Sequence, residues 1–319
     1  MIDSKREGFR AVDVMIVRGV RLDHAWTDLG ASFGTALRTW SRQALALVVQ
    51  QANDRGVRVL LIAGDLFDRS YASRATVDYA SQILGTFSGD VVIVPGRSDW
   101  IDDTSLYNTH AWAANTSICA SPEYEPCRAA ASVWASAWTS PGGAAPRVPA
   151  AGEPRVLIRA GTDDGALGVP DLVHDPREPG GCVVLIDSAE PQKPAERIDL
   201  PDQPGSLVDV DVTDAATTEE LDAALEAGLT GGPLLLRLRG TLAPAVLLPG
   251  FGGPDRNLPS EVVLDLDGLS FAMPTVDPTD RSARAEFLHA MAYANTPELQ
   301  RHQTIALGLA ALDASAQGA

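Results

Sequence analysis

Val57-Arg58-Val59-Leu60-Leu61-Ile62-Ala63-Gly64-Asp65-Leu66-Phe67-Asp68 and Val91-Val92-Ile93-Val94-Pro95-Gly96-Arg97-Ser98-Asp99 bracket the stretch whose reading decides the fold. Each is a short, largely apolar run that leads into a glycine and an acid, the pattern of a buried parallel strand delivering a carboxylate at its carboxyl end. Between them, residues 73–86 place Val77, Ala80, Ile83 and Leu84 at helical spacing. A β-α-β unit is expected. Ligands of open α/β sheets bind beyond the carboxyl ends of the strands, which puts Asp65 and Asp99 where chemistry usually takes place. The competing reading of either residue is a plain turn acid at a strand end.

Working outward, residues 11–20 read as an opening strand. Residues 32–53 read as a long helix whose apolar face carries Leu37, Trp40, Ala44, Leu45, Leu47, Val48 and Ala52, stopped by Gly56. Residues 127–154 are rich in Ala, Pro, Gly and Ser, with Trp134 and Trp138 as the only large aromatics, and are expected to form a poorly structured connection. Short strands follow at residues 155–158 and 180–187. Residues 207–212, 217–227, 234–238 and 261–266 then alternate as strand, helix, strand and strand. Gly250-Phe251-Gly252-Gly253 lacks the Gly-Lys-Ser/Thr ending of a phosphate loop and reads as a turn. Residues 279–314 read as two helices divided near Asn295-Thr296-Pro297, with stripes of Phe287, Leu288 and Met291, then Ile305, Leu307, Leu309 and Leu312.

A chain of 319 residues has room for one large α/β domain and a smaller one. Its net charge of −17 gives no support to autonomous DNA binding, which depends on cations that neutralise phosphates. Cys119, Cys127 and Cys182 show no C-x-x-C spacing, so neither a disulfide framework nor a zinc site is indicated. No run has the length of a membrane span, and the charged start is not followed by a signal-peptide core; a cytoplasmic protein is expected.

Gly64-Asp65-Leu66-Phe67-Asp68 followed by Pro95-Gly96-x-x-Asp99 resembles the second and third motifs of the calcineurin-like metallophosphoesterases, which read G-D-x-x-D and G-N-H-D. The likeness is narrower to the SbcD-type DNA-repair exonucleases, which write G-D-L-F-D and continue with S-L-Y and W-x-x-N. Here those are Ser105-Leu106-Tyr107 and Trp112-Ala113-Ala114-Asn115. The resemblance covers about residues 10–120 and continues more weakly to residue 319.

What the resemblance implies for the chemistry is a damaged site. Two-metal phosphoesterases hold ions about 3.5–4 Å apart to activate a water and steady phosphate oxygens. Asp65 matches the family's bridging ligand. Gly19, Arg21, Arg97 and Ser98 stand where the family has Asp, His, Asn and His, while Asp99 matches the last residue of the third motif, which is not a principal ligand. The family's G-H-x-H ending has no counterpart among His24, His110, His174, His289 and His302. No catalytic residue is assigned, no metal site is intact, and Asp65 and Asp99 remain as remnant metal candidates. Arg21 or Arg97 is expected to fork onto Asp65 or Asp99, because an unpaired buried carboxylate costs about 3–5 kcal/mol. The other readings have these arginines grip a phosphate without metal, or turn outward. A shifted match would recruit Asp23 and His24, but neighbours on an extended chain point to opposite faces, so His24 reads as an ordinary loop histidine.

The expected fold is α/β: a truncated metallophosphoesterase-like sandwich over residues 1–200, a small α+β cap over 201–276 and a helical tail over 277–319, whose apolar stripes read either as packing on its own domain or as a partner-docking segment. The expected function is a noncatalytic, or nearly noncatalytic, SbcD-like subunit in DNA repair or DNA-directed defence. Its implied partner is an SMC-like coiled-coil ATPase of the SbcC type, with DNA reached through the complex, homodimerisation left open and no membrane. No cofactor is expected. The alternative is an active metal-dependent phosphoesterase using Mn2+ at a rearranged site where Asp23, Asp99, Asp102 or His174 converges on Asp65.

Overall fold

The computed structural model describes residues 13–143, 146–147, 156–159, 171–175, 177, 181–187, 190, 193–250 and 257–317. Residues 251–253 of the glycine cluster, and residues 155 and 180 at two strand ends, lie outside them. The protein is mixed α/β and divides into two compact units, one made of residues 1–26 and 34–204, the other of residues 27–33 and 205–319.

The first unit is built on alternating strands and helices: β1 (Asp13–Val17), α1 (Gly30–Asp54), β2 (Val59–Ala63), α2 (Arg74–Gly85), β3 (Asp90–Val94), α3 (Leu106–Thr109) and β4 (Thr116–Ile118). β5 (Glu125–Cys127), β6 (Ala130–Ser136) and β7 (Val156–Arg159) form a second, three-stranded sheet. β8 (Cys182–Asp187) and β9 (Glu196–Asp199) return to the first sheet, whose order is β4-β3-β2-β1-β8-β9. β1 to β4 pair in parallel, and β8 and β9 close the other edge in antiparallel fashion.

Local chemistry accounts for these elements. All five residues of β2 are buried, as a central parallel strand covered on both faces requires. α2 starts where the Ser73 side chain accepts from the Thr76 amide and Thr76 reciprocates, a capping box whose loss costs about 1 kcal/mol. Gly56, at a φ of 65°, ends the turn that follows α1.

One face of the first sheet, formed by Val14, Ile16, Val59, Leu61, Ala63, Val92, Val94, Val184 and Ile186, packs against Ala130, Val133, Ala135, Val156 and Ile158 of the second sheet. The alternate residues Met15, Leu60, Ile62, Val91 and Ile93 are equally buried on the opposite face, the side left to α1 and α2. Over residues 130–136 this corrects the expectation of a poorly structured connection across residues 127–154; residues 144–145 and 148–154 of that stretch lie outside the described residues. β6 lies inside it and packs Ala130, Val133 and Ala135 against the first sheet.

The second unit holds three parallel strands, β10 (Ser206–Asp211), β11 (Leu234–Leu242) and β12 (Val262–Phe271), with α4 (Thr218–Ala227) crossing from the first to the second. Thr217 caps α4 with Glu220 in a second capping box. Leu221 and Leu225 join Val210, Leu234, Leu236 and Leu238 in its core. α5 (Ala283–Ala292) and α6 (Glu298–Gln317) meet through Leu288, Ile305 and Leu309. α6 also docks on the sheet of its own unit: the His302 ring lies 4.5 Å from that of Phe271, and its Nε2 is 2.9 Å from the Val246 carbonyl. Burial there holds His302 below its ordinary pKa. Much of the tail's apolar stripe is therefore core, and Leu307 and Tyr293 are the large apolar side chains it leaves exposed. Among the described residues, no helix is long and apolar enough to cross a membrane.

Candidate functional site

The loops that leave β1, β2 and β3 meet beyond the carboxyl ends of their strands. The Gly19 amide donates to the Gly64 carbonyl at 3.1 Å, Arg21 to Asp65 at 2.9 Å and Leu22 to Leu66 at 2.9 Å, which extends the β1–β2 pairing past both strands. Four non-glycine residues here, Arg21, Asp23, Trp26 and Asp65, take φ values between 51° and 58°. Such left-handed conformations are uncommon for side-chain-bearing residues and cluster where a fold holds functional geometry against strain. Gly96 is required by proximity: a Cβ there would stand 2.6 Å from the Asp65 amide nitrogen.

Asp99 is the knot behind these loops. Fully buried, it accepts from the amides of Leu66 at 2.8 Å, Asp65 at 3.2 Å and Gly96, and from the Tyr107 hydroxyl at 2.7 Å. Burial and the neighbouring Asp65 carboxylate push its pKa up to about 7, against the Tyr107, Gly96 and Leu66 donors that favour the charged form. Tyr107 is itself raised well above its ordinary value by burial and by Asp99. Its ring lies 4.9 Å from Phe67 and 5.7 Å from Trp112. Asn115 donates to the carbonyls of Leu84, Phe87 and Gly89, tying the end of α2 to the start of β3. The S-L-Y and W-x-x-N residues thus act as scaffold behind the loops.

In front of the knot opens a pocket of about 350 Å³ lined by Arg21, His24, Asp65, Phe67, Asp68, Arg97 and Ser98. The structure brings together five of the residues named from the sequence motifs, Asp65, Arg21, Arg97, Ser98 and the histidine read as ordinary. Asp65 is 8% exposed, and its Oδ1 accepts from the Ser98 amide at 2.9 Å and from the Ser98 hydroxyl. His24 Nδ1 lies 2.9 Å from Asp68 Oδ2, and Asp68 also accepts from the Ser70 amide.

The expected ion pair does not form as drawn. Arg21 reaches neither Asp65 nor Asp99; it pairs with Asp171, which Arg18 also meets at 2.9 Å. Asp65 and Asp99 are held instead by uncharged donors, so neither lacks compensation. Asp171 is placed by its backbone: the amides of Leu172 and Val173 donate to the carbonyls of Arg18 and Gly19 at 2.7 and 3.0 Å. Gly19, at a φ of 62°, makes the room. A Cβ at position 19 would collide with the Asp171 carboxyl group.

The remaining candidates lie elsewhere. Asp23 faces away from His24, to Arg42 at 2.7 Å and the Thr76 hydroxyl. Asp102 binds Arg69 at 2.8 Å and Thr104, and those contacts hold it well below the usual carboxylate range. The His174 ring Nδ1 lies 2.8 Å from the Asp175 carbonyl, while its backbone amide donates to the Gln203 side chain at 3.2 Å. None of the three converges on Asp65. Asp171 and the His24–Asp68 contact were not readable from the motifs; only the opposite orientation of residues 23 and 24 was.

The residues present do not fit a binuclear metal centre. Guanidinium groups at positions 21 and 97 offer donors and positive charge rather than lone pairs, and the volume for a ligand at position 19 holds another side chain. Among the described residues, no cluster of three or more His, Cys, Asp or Glu is placed to hold a metal ion. A scan against protein-family models found no match to this chain, and a search of curated proteins found none either.

Proposed function

We propose that this chain is a metallophosphoesterase-like subunit of the SbcD type that has exchanged its binuclear centre for a fixed polar pocket. It works in DNA repair or DNA-directed defence beside an SMC-like coiled-coil ATPase. The observation that carries this reading is the substitution of Asp171 and Arg21 into the space where, by the resemblance, the first motif's Asp and His would ligate metal. The architecture beyond the β2 and β3 ends is kept by Asp99 and Gly96, as a scaffold retained for binding rather than hydrolysis would keep it. With a net charge of −17, the chain relies on its partner for most of the cationic surface that DNA requires.

The test is manganese titration calorimetry on the purified protein and on Asp65→Ala, with nuclease assays on single- and double-stranded DNA. The proposal expects no site-specific manganese uptake and no cleavage in either protein. Tight binding and cleavage that both vanish in Asp65→Ala would replace it with a working nuclease.

A further inference from the structure

The pocket in front of Asp99 has more donors than its own acceptors use. Arg97 is exposed at its rim, and among the described residues no hydrogen bond or ion pair engages its five N–H groups. Arg21 gives one nitrogen to Asp171, and its guanidinium carbon stands 5.6 Å from the centre of the Trp26 ring. Among the described residues, no hydrogen bond or ion pair engages the other nitrogens of Arg21, which leaves them to a ligand. His24 uses Nδ1 on Asp68 and keeps Nε2. The two acids of the pocket are already engaged, Asp65 by Ser98 and Asp68 by His24 and Ser70.

We infer that this pocket binds a phosphate monoester without metal, gripped by Arg97 and Arg21 and met by His24. The inference rests on the proposed absence of a binuclear centre and adds the ligand. Two guanidinium groups on one side of an open cavity suit a tetrahedral oxyanion, which each can meet through paired N–H groups. His24 fits both protonation states of such a group: its Nε2 accepts from a P–OH when neutral and donates to a P–O− when charged. A volume of about 350 Å³ admits a phosphate with part of the group that bears it. Asp171 marks the grip from inside. It is an anion already bound to Arg21, so it competes with an incoming phosphate for that guanidinium and sets the affinity.

The experiment is titration with inorganic phosphate, a 5′-mononucleotide and a 5′-phosphorylated single-stranded oligonucleotide beside its unphosphorylated twin, all in excess chelator, on the wild-type protein, Arg97→Ala and Asp171→Asn. Phosphate binding in chelator that weakens about tenfold or more in Arg97→Ala is expected, since charge-assisted contacts are the strong ones. Asp171→Asn, near in size to the original side chain, is expected to bind severalfold tighter. Preference for the phosphorylated oligonucleotide assigns the ligand to a strand end; equal binding of phosphate and mononucleotide without the oligonucleotide assigns it to a small molecule. No binding of any probe, or binding unmoved in both variants, overturns the inference and leaves the proposed function standing. Binding that appears only with added manganese and disappears in Asp65→Ala overturns both.

Discussion

Asp99 and Arg97 are two residues apart on one loop and live in opposite worlds. Asp99 is buried behind the pocket with every lone pair directed at a donor from another loop or from Tyr107. Arg97 stands exposed at the rim, with its donors unengaged among the described residues. The difference separates what the loop needs in order to exist from what it offers to a ligand. A buried polar group that loses its partners costs its full desolvation, whereas an exposed one costs almost nothing to remove.

Breaking the knot is expected to have the largest effect. Asp99→Ala strands three amides and a hydroxyl, and chemical denaturation should show a loss of about 3–4 kcal/mol. The next effect is a pH dependence. Asp99 keeps its proton up to about 7 in the folded chain but releases it near 3.8 when unfolded, so between those values the folded state binds more protons. The stability that this group contributes is whole at the acid end and falls as pH rises through that window. Protonated, Asp99 keeps its backbone donors and donates to the Tyr107 oxygen, which can accept. Melting curves of wild type and Asp99→Asn across this range should diverge, with the variant lacking this part of the slope.

Tyr107→Phe removes one donor to Asp99 and is expected to cost about 1 kcal/mol by denaturation. Arg97→Ala is the smallest, within about 0.5 kcal/mol of wild type. A large loss in Arg97→Ala would erase the contrast between the two sides of the loop. A large loss of phosphate binding at unchanged stability would sharpen it.

How much of this was legible in the sequence follows the range of the interactions. The β-α-β unit around Asp65 is written in local terms: apolar runs of strand length, helical spacing and a Ser73 cap three residues before Thr76. Those signals are short-range and survive without knowledge of the fold. The motif positions also converge on one pocket, because Asp65, Arg97 and Ser98 sit at strand ends that any parallel sheet would gather.

Their partners are another matter. Arg21 meets Asp171 across 150 residues, and no spacing announces it. β6 was hidden for a different reason. Its buried residues are mostly Ala and Val in an alanine-rich stretch, and composition cannot tell a loose connection from a strand chosen for close sheet packing. The tail shows the converse. Its apolar stripe was readable, but only the fold decides that Leu288, Ile305 and Leu309 are covered while Leu307 is not.

The close approach of Asp171 to Gly19 acts as a lock. Placing a carboxylate at position 19 requires evicting Asp171, because the two side chains claim the same volume and carry the same charge. Eviction in turn leaves Arg18 and Arg21 without their shared anion. Gly19→Asp alone and Asp171→Ala alone are each expected to lower stability, so an acid introduced at position 19 has to arrive together with at least one compensating change. A single well-seated side chain thus closes position 19 to a second acid.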